Sequence, residues 1–247
     1  MTKTAVCIYH FLLFSWYIFI NHYISQKGKT QLGSKVFQDG GRWKYLTILN
    51  LLLQKIFFGV ACLDDVLKRI TRRKTIKFVT AFRDLLFSTL AFPVSTFIFL
   101  AFWSIFLYNR ELIYPKAIEG VFPAWLNHAM HTTILPFSLG EIILRPHHYP
   151  SRKTGLTVLA IGGLAYIGRV LWLYVETGTW VYPVFAQLSP FGLAVFFSLS
   201  YLLMAVIYLL GEKLNHWKWG YKDAEPRTQV PQEEKTSLQE TADSERD

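Results

Sequence analysis

The sequence predicts an all-α integral membrane protein, a bundle of about six transmembrane helices, and two observations support this prediction. First, 52% of the 247 residues are hydrophobic and only 17% are charged, against about 25% charged residues in an average soluble domain. Second, six apolar segments are long enough to cross about 30 Å of hydrocarbon at about 1.5 Å per residue. Because lipid offers no partners to backbone polar groups, these segments are expected to be helices.

The first apolar run is too long for a signal peptide, so it is interpreted as a retained first span. Pro93, Pro136 and Pro190 fall inside or near the ends of spans and predict kinks there. The six predicted spans are residues 5–24, 45–63, 85–108, 122–144, 154–175 and 185–211.

The charge distribution divides the chain into two parts. Residues 212–247 hold nine of the seventeen acidic residues, and beyond Lys222 they are rich in Glu, Gln, Thr, Ser and Pro. Such a composition has almost nothing to bury. The prediction is therefore a six-helix transmembrane domain over 1–211, followed by a cytoplasmic juxtamembrane segment and a disordered tail over 212–247.

Lysine and arginine in the short loops predict the orientation of the bundle. The loops after the second and fourth spans together carry most of the loop bases, and the loop after the fifth has no base at all. The first loop dissents, with five bases. On balance the positive-inside rule places both termini in the cytoplasm, with the choice between cell membrane and endoplasmic reticulum left open. The same rule accounts for the basic balance of the chain, so nucleic acid is not an expected partner.

Three polar side chains from three predicted spans lie at one depth. Counted inward from the interfacial tryptophans, Thr47 lies about 6 Å below Trp43. His131 lies about 9 Å below Trp125, and Arg169 lies about 9 Å inside the outer end of the fifth span. Because a polar or ionisable group at bilayer depth usually faces the bundle interior, this shared level predicts a functional site in the outer half of the membrane.

Two of these spans carry polar stripes that would enclose a small cavity if the helices are adjacent. Other interpretations of single residues remain open, because a membrane threonine commonly bonds its own preceding turn. Arg169 can likewise pair with a helix carbonyl or a lipid phosphate. The stripes are Thr47, Asn50 and Gln54 on the second span, and Asn127, His128, His131, Thr132 and Ser138 on the fourth.

Polar residues near the cytoplasmic side are predicted to be supportive. Lys55 can extend toward that face and bond Glu141. The adjacent pair His147 and His148 is interpreted as part of an interfacial loop. Glu141 lies too near the cytoplasmic side to orient a histidine in the outer half.

Several common sites are excluded by their motifs. The chain has no Walker loop, no dinucleotide fingerprint and no Gly-x-Ser-x-Gly elbow. His128 and His131 are three residues apart, but the other histidines are scattered, and the two cysteines match no metal or disulfide pattern. Neither a metal nor a cofactor is therefore expected.

Four stretches carry a resemblance to a known family. They are 61–68 (ACLDDVLK), 81–87 (AFRDLLF), 125–131 (WLNHAMH) and 211–220 (GEKLNHWKWG). In these motifs the chain resembles the androgen-induced family of multi-pass membrane proteins, from Met1 to about Gly220. The resemblance implies an intramembrane threonine hydrolase that cleaves fatty acid esters of hydroxy fatty acids. It also implies a threonine nucleophile early in the second span and a histidine partner in the fourth, which are Thr47 and His131 here.

The implied chemistry agrees with the depth count. A hydroxyl needs an adjacent base to act as a nucleophile, and a neutral His131 imidazole can supply it. Asn50, His128 or Arg169 would donate to the oxyanion, or Arg169 would bind the free carboxylate of the lipid ester substrate. The alternatives are a non-catalytic membrane regulator or lipid-binding scaffold and, third, a transporter. The resemblance also includes a link to expression of a coagulation inhibitor, which none of these residues explains.

Overall fold

The computed structural model describes residues 3–30, 41–72, 76–116 and 122–220, which form helices joined by short turns. No strand occurs in these ranges, so the predicted all-α class is confirmed. The predicted disordered tail lies outside the described residues. The α-helices are α1 Lys3–Thr30, α2 Leu46–Ile70, α3 Lys77–Leu86, α4 Phe92–Asn109, α5 Ala124–His131, α6 Ile134–Leu144, α7 Arg152–Thr177, α8 Pro183–Ala186 and α9 Pro190–Trp219.

Five helical segments of the described chain are long and apolar enough to cross a membrane. The third of them joins α3, a π-helical turn and α4 into one continuous rod. The chain is therefore a multi-pass membrane protein. The five segments are Thr4–Lys29, Leu46–Ile70, Lys77–Leu112, Arg152–Thr177 and Pro190–Trp219.

The fourth predicted span, 122–144, differs from the prediction because it consists of two short helices, α5 and α6. Proline has no N–H, so Pro136 leaves the carbonyl of Thr132, four residues earlier, without its helical partner, and its ring crowds that carbonyl. The Thr132 N–H still donates to the His128 carbonyl at 2.8 Å, closing the last turn of α5. The resulting break comes directly after His131, which is the last residue of α5.

The other two prolines act differently. Pro93 follows the π-helical turn Phe87–Ala91, a wider turn of the kind found where a helix is locally disturbed. Pro190 is the first residue of α9, where a missing N–H costs nothing, so no kink results. The last span therefore begins at Pro190 rather than at residue 185. Because α9 continues to Trp219, the predicted boundary at residue 211 lies inside a helix.

Close packing joins α7 to α9 at one glycine. A Cβ atom built on Gly155 would lie only 2.2 Å from the hydroxyl oxygen of Tyr208. Tyr208 is completely buried, so the two helices can approach this closely only because position 155 has no side chain. Gly168, more than three turns further along α7, has open space where its Cβ would be.

One end of the bundle is closed by a ring of ionic hydrogen bonds, which we call the ionic ring. Its members come from α1, α2, α3, α6 and the loop after α6, and each contacts its neighbours in the ring. Glu141, which is completely buried, accepts from His10 Nε2 at 2.9 Å and from His147 Nε2 at 3.0 Å. The members, in order around the ring, are His10, Asp65, Arg145, Asp64, Arg83, Asp84, His147 and Glu141.

Two predictions about these residues are wrong. Glu141 pairs with two histidines and not with Lys55, because α1 and the loop after α6 approach it from both sides. His147 is buried and bonded at both ring nitrogens, whereas an interfacial loop residue would be solvated. Asn215 of α9 also exchanges two hydrogen bonds with the His147 backbone, so the start of α1 and the end of α9 lie at the same end of the bundle. Which side of the membrane this end faces stays a prediction.

Candidate active site

The start of α2 is held in place by two tyrosines. The Leu46 N–H donates to the hydroxyls of Tyr166, at 3.1 Å, and of Tyr182, at 3.0 Å. The Tyr166 hydroxyl in turn donates to the Lys44 carbonyl at 3.1 Å. Thr47 lies in the first turn of α2, directly after the 3₁₀ turn Gly41–Lys44. Among the described residues its hydroxyl bonds no carbonyl of that preceding turn.

The structure brings Thr47 and His131 into contact, as the depth count predicts. The distance between Thr47 Oγ1 and His131 Nε2 is 3.2 Å. Within the described part of the chain, this is the only hydrogen bond of the Thr47 side chain. His131 is 5% exposed, so its imidazole works in an environment almost free of bulk water.

The tautomer of His131 follows from its other ring nitrogen. Nδ1 lies 2.8 Å from Asn127 Oδ1 and 3.1 Å from the Asn127 carbonyl oxygen. A backbone carbonyl can only accept, so Nδ1 carries the proton and donates it. In the neutral ring Nε2 is then an acceptor, and the Thr47 hydroxyl donates to it. Thr47, His131 and Asn127 thus form one chain of hydrogen bonds, the arrangement that a hydroxyl nucleophile, its base and an orienting group would require.

An aromatic side chain fixes the plane of the imidazole. The Phe102 ring stacks on His131 with centroids 3.6 Å apart and planes tilted by 7°. His128, one turn earlier, faces away from this site. It is exposed, lies against Trp103 and bonds Thr132 Oγ1 at 2.9 Å. His128 is therefore excluded as an oxyanion donor.

Thr47 and His131 both line a cavity of about 1010 Å³. Its walls come from α2, α4, α7 and α9 and are mostly apolar, with Asn50 and Arg169 among the few polar lining residues. A cavity of this size matches the upper range of small-molecule sites, and its apolar walls suit an aliphatic chain.

Arg169 lines this cavity, but its side chain is exposed. Its Nε donates to the Trp43 carbonyl at 3.4 Å, and Trp43 belongs to the 3₁₀ turn Gly41–Lys44. This is the bond to a helix carbonyl that the sequence left open as an alternative. The depth of Arg169 in the membrane stays a prediction.

Some residues of this site were missed by sequence reasoning. Asn127 was placed in a polar sector without a role, although its spacing of four from His131 would have indicated a hydrogen bond across one turn. Phe102 and Tyr166 come from α4 and α7, and Tyr182 comes from the turn before α8, so no spacing in the sequence indicates their contacts. Among the described residues, no group of three or more metal-ligating side chains is arranged to hold a metal ion.

The bundle and its cavity define a class of protein, a multi-pass membrane protein with a polar hydrogen-bonded site opening on an apolar cavity between its helices. Residues 5–216 match the family model described as FAR-17a/AIG1-like protein. The chain therefore belongs to the FAR-17a/AIG1-like family, and the resemblance inferred from its motifs is confirmed.

Several curated relatives are similar over most of their length. Human androgen-dependent TFPI-regulating protein is 70% identical over 220 residues, which cover 89% of this chain and 96% of the relative. The mouse protein of the same name is 66% identical, again over 89% of this chain and 96% of the relative. Human androgen-induced gene 1 protein is 42% identical over 73% of this chain and 79% of that protein. No solved structure matches the chain.

Proposed function

We propose that this chain is an intramembrane ester hydrolase with Thr47 as nucleophile and His131 as general base. The observation that supports this most is the chain of hydrogen bonds from Thr47 through His131 to Asn127, opening on an apolar cavity of about 1010 Å³. The substrate class comes from the resemblance to the androgen-induced family, and is a fatty acid ester of a hydroxy fatty acid.

The first half of the reaction is acyl transfer to Thr47. His131 Nε2 takes the hydroxyl proton as Thr47 Oγ1 attacks the ester carbonyl carbon, which gives a tetrahedral oxyanion. Collapse of this intermediate breaks the bond to the alcohol oxygen. The protonated imidazole returns the proton to that oxygen, so the hydroxy fatty acid leaves and the fatty acyl group stays on Thr47.

The second half is hydrolysis of the acyl-threonine. His131 Nε2 removes a proton from a water molecule, and the resulting hydroxide attacks the acyl carbonyl. The second tetrahedral intermediate expels Thr47 Oγ1, which recovers its proton from the imidazolium. In both halves the Asn127 oxygens hold the Nδ1 proton, so the ring keeps the orientation and tautomer that each step requires.

Arg169 supports the assignment of a substrate with a free acid. Its Nε donates to the Trp43 carbonyl, and the residue lines the cavity. The sequence predicts Trp43 at the outer interface. A carboxylate at the end of the substrate would lie at this level, while the ester group lies deeper beside Thr47. A planar guanidinium suits a carboxylate because two N–H groups can bind its two oxygens together.

The test is hydrolysis by purified single variants. Thr47→Ala and His131→Ala should each abolish turnover, and the double variant should be little worse, because the pair acts as a unit. Thr47→Ser keeps the hydroxyl and should retain part of the activity. Thr133→Ala and His128→Ala are matched controls, since both side chains lie outside the cavity. Near wild-type hydrolysis by folded Thr47→Ala and His131→Ala would disprove the proposed site.

A second candidate function is that of a non-catalytic membrane regulator or lipid-binding scaffold. It is favoured by the name of the human and mouse relatives that are 70% and 66% identical, androgen-dependent TFPI-regulating protein. A scaffold would fill the same cavity with lipid but would never form a covalent bond to it. Acylation of Thr47 by an ester therefore separates the two functions.

A further inference from the structure

The tetrahedral intermediate of the proposed reaction carries a negative oxygen, and hydrolases stabilise it with pre-oriented donors. A donor of this kind must be close to the nucleophile and must not already be bonded to the protein. The candidates are therefore N–H groups near Thr47 that lack an acceptor. His128 does not line the cavity, and the Arg169 Nε–H is already bonded to the Trp43 carbonyl.

The first donor is the backbone of Thr47 itself. The first four N–H groups of a helix have no partner inside it. In α2 the Leu46 N–H is bonded by the two tyrosine hydroxyls, while those of Ile48 and Leu49 donate to the Tyr45 carbonyl at 3.1 and 3.2 Å. Of these four groups, only the Thr47 N–H finds no acceptor among the described residues.

The second donor is the side chain of Asn50, one turn further into α2. Asn50 is 1% exposed and lines the cavity. Within the described chain its Nδ2 has no hydrogen-bond partner, although it is buried. Leaving such a group unbonded costs about 1–3 kcal/mol, so a ligand oxygen that accepts from it would recover this cost.

The orientation of the Asn50 amide is determined by Gln54. Gln54 Nε2 donates to the Ala91 carbonyl at 2.9 Å, which can only accept, so this atom is the amide nitrogen. The same Nε2 donates to Asn50 Oδ1 at 3.2 Å. Asn50 Nδ2 therefore faces away from Gln54. Thr47 and Asn50 are three residues apart on α2, so their side chains are neighbours, with about 5–6 Å between their Cβ atoms. Asn50 Nδ2 therefore lies on the face of α2 that carries Thr47.

We infer that the Thr47 N–H and the Asn50 side-chain amide form the oxyanion hole of this site. The inference rests on the proposed function, since it assigns donors to the intermediate formed on Thr47. The positive end of the α2 dipole lies at the same place and favours the same charge. Asn50 is thus a catalytic residue that contacts the reacting oxygen, and Gln54 is a positioning residue behind it.

The test compares two ketones with the same long alkyl chain. Thr47 Oγ1 attacks the carbonyl carbon of a trifluoromethyl ketone, and the carbonyl oxygen becomes an oxyanion. The matching methyl ketone binds without reacting. Asn50→Asp keeps the oxygen that accepts from Gln54 but loses the N–H donor. We expect Asn50→Asp to weaken binding of the trifluoromethyl ketone about 10²-fold relative to binding of the methyl ketone. The kcat for ester hydrolysis should fall in parallel, with KM nearly unchanged.

Controls keep the outcomes distinct. Asn50→Ala tests the same donor without adding a charge, and Ser95→Ala removes a buried hydroxyl that lies outside the cavity. If both Asn50 variants bind the two ketones with the wild-type preference, the oxyanion assignment is wrong, even when Thr47→Ala has lost the preference. If Thr47→Ala keeps the preference, the proposed nucleophile itself is wrong.

Discussion

Asn127 holds the base of the proposed reaction through two acceptors, its side-chain oxygen at 2.8 Å and its backbone oxygen at 3.1 Å from His131 Nδ1. Asn127→Ala removes only the first, so the ring keeps its tautomer but loses orientation. We expect kcat for ester hydrolysis to fall about 10- to 100-fold, part of the 10²–10⁴ that a positioned base supplies. KM should change little. A variant with wild-type kcat would show that Asn127 has no orienting role.

Arg169 is expected to select substrates that carry a free acid. Because the guanidinium is exposed, its ion pair with a carboxylate is worth at most about 1 kcal/mol, which corresponds to a roughly fivefold change in KM. Arg169→Gln should raise KM for free-acid esters by this factor and leave methyl-capped esters nearly unaffected. Arg42→Gln, at a residue that does not line the cavity, is the matched control. Equal losses on capped and free substrates would contradict the carboxylate role.

At the scale of residues, sequence reasoning predicted the pair that meets but not what holds it. The depth count placed Thr47, His131 and Arg169 at one level, and the resemblance to the androgen-induced family singled out the first two as a pair. The stacking of Phe102 and the tyrosine bonds to Leu46 depend on which helices are neighbours, which depth does not determine.

Helix α7 offers a matched pair of glycines for a test of packing. Alanine is favoured over glycine inside a helix by about 1 kcal/mol, so Gly168→Ala, which has open space, should stabilise the protein by about that amount. Gly155→Ala would place a methyl group against the buried Tyr208 hydroxyl at 2.2 Å. Overpacking costs about 1–3 kcal/mol, so a net loss is expected. Thermal unfolding in detergent measures both, and stabilisation by Gly155→Ala would contradict the packing described for α7 and α9.

At the scale of helices, composition predicted where the chain crosses the membrane better than it predicted helix ends. Apolar length identifies a span, but the Pro136 break that ends α5 at His131 is a local steric effect. The continuation of α9 to Trp219 was missed because its last residues are polar, while a helix persists in polar sequence when tertiary contacts such as those of Asn215 hold it.

The ionic ring ties five parts of the chain together at one end of the molecule. Glu141→Gln leaves one acceptor where two imidazole nitrogens now donate, so one of them loses its partner in a buried site. Breaking a buried ionic pair costs about 3–5 kcal/mol, and we expect a comparable loss of unfolding free energy. The control is Arg152→Gln, which breaks the Arg152–Glu212 pair. Because Arg152 is largely exposed, this change should cost less than about 1 kcal/mol. Similar stability of both variants would contradict a structural role for the ring.

At the scale of the whole molecule, the ring shows what a single sequence cannot reveal. His10 and Glu141 are 131 positions apart, and His10 and Asp65 are 55 apart. From the sequence, the bases of the ring were explained by the positive-inside rule, Glu141 by its position near the cytoplasmic side, and His147 as part of an interfacial loop. Only the arrangement of α1, α2, α3 and α6 in space makes them one buried cluster.

The central claim is that Thr47 forms a covalent bond to the acyl group of its substrate. Purified wild-type protein would be mixed with a fatty acid ester of a hydroxy fatty acid, quenched in acid during turnover, and digested for mass spectrometry. We predict that the peptide containing Thr47 gains the mass of the fatty acyl group, and that Thr47→Ala and His131→Ala gain none. Equal rates of ester hydrolysis by wild type and Thr47→Ala, with no acyl group on Thr47, would contradict the claim.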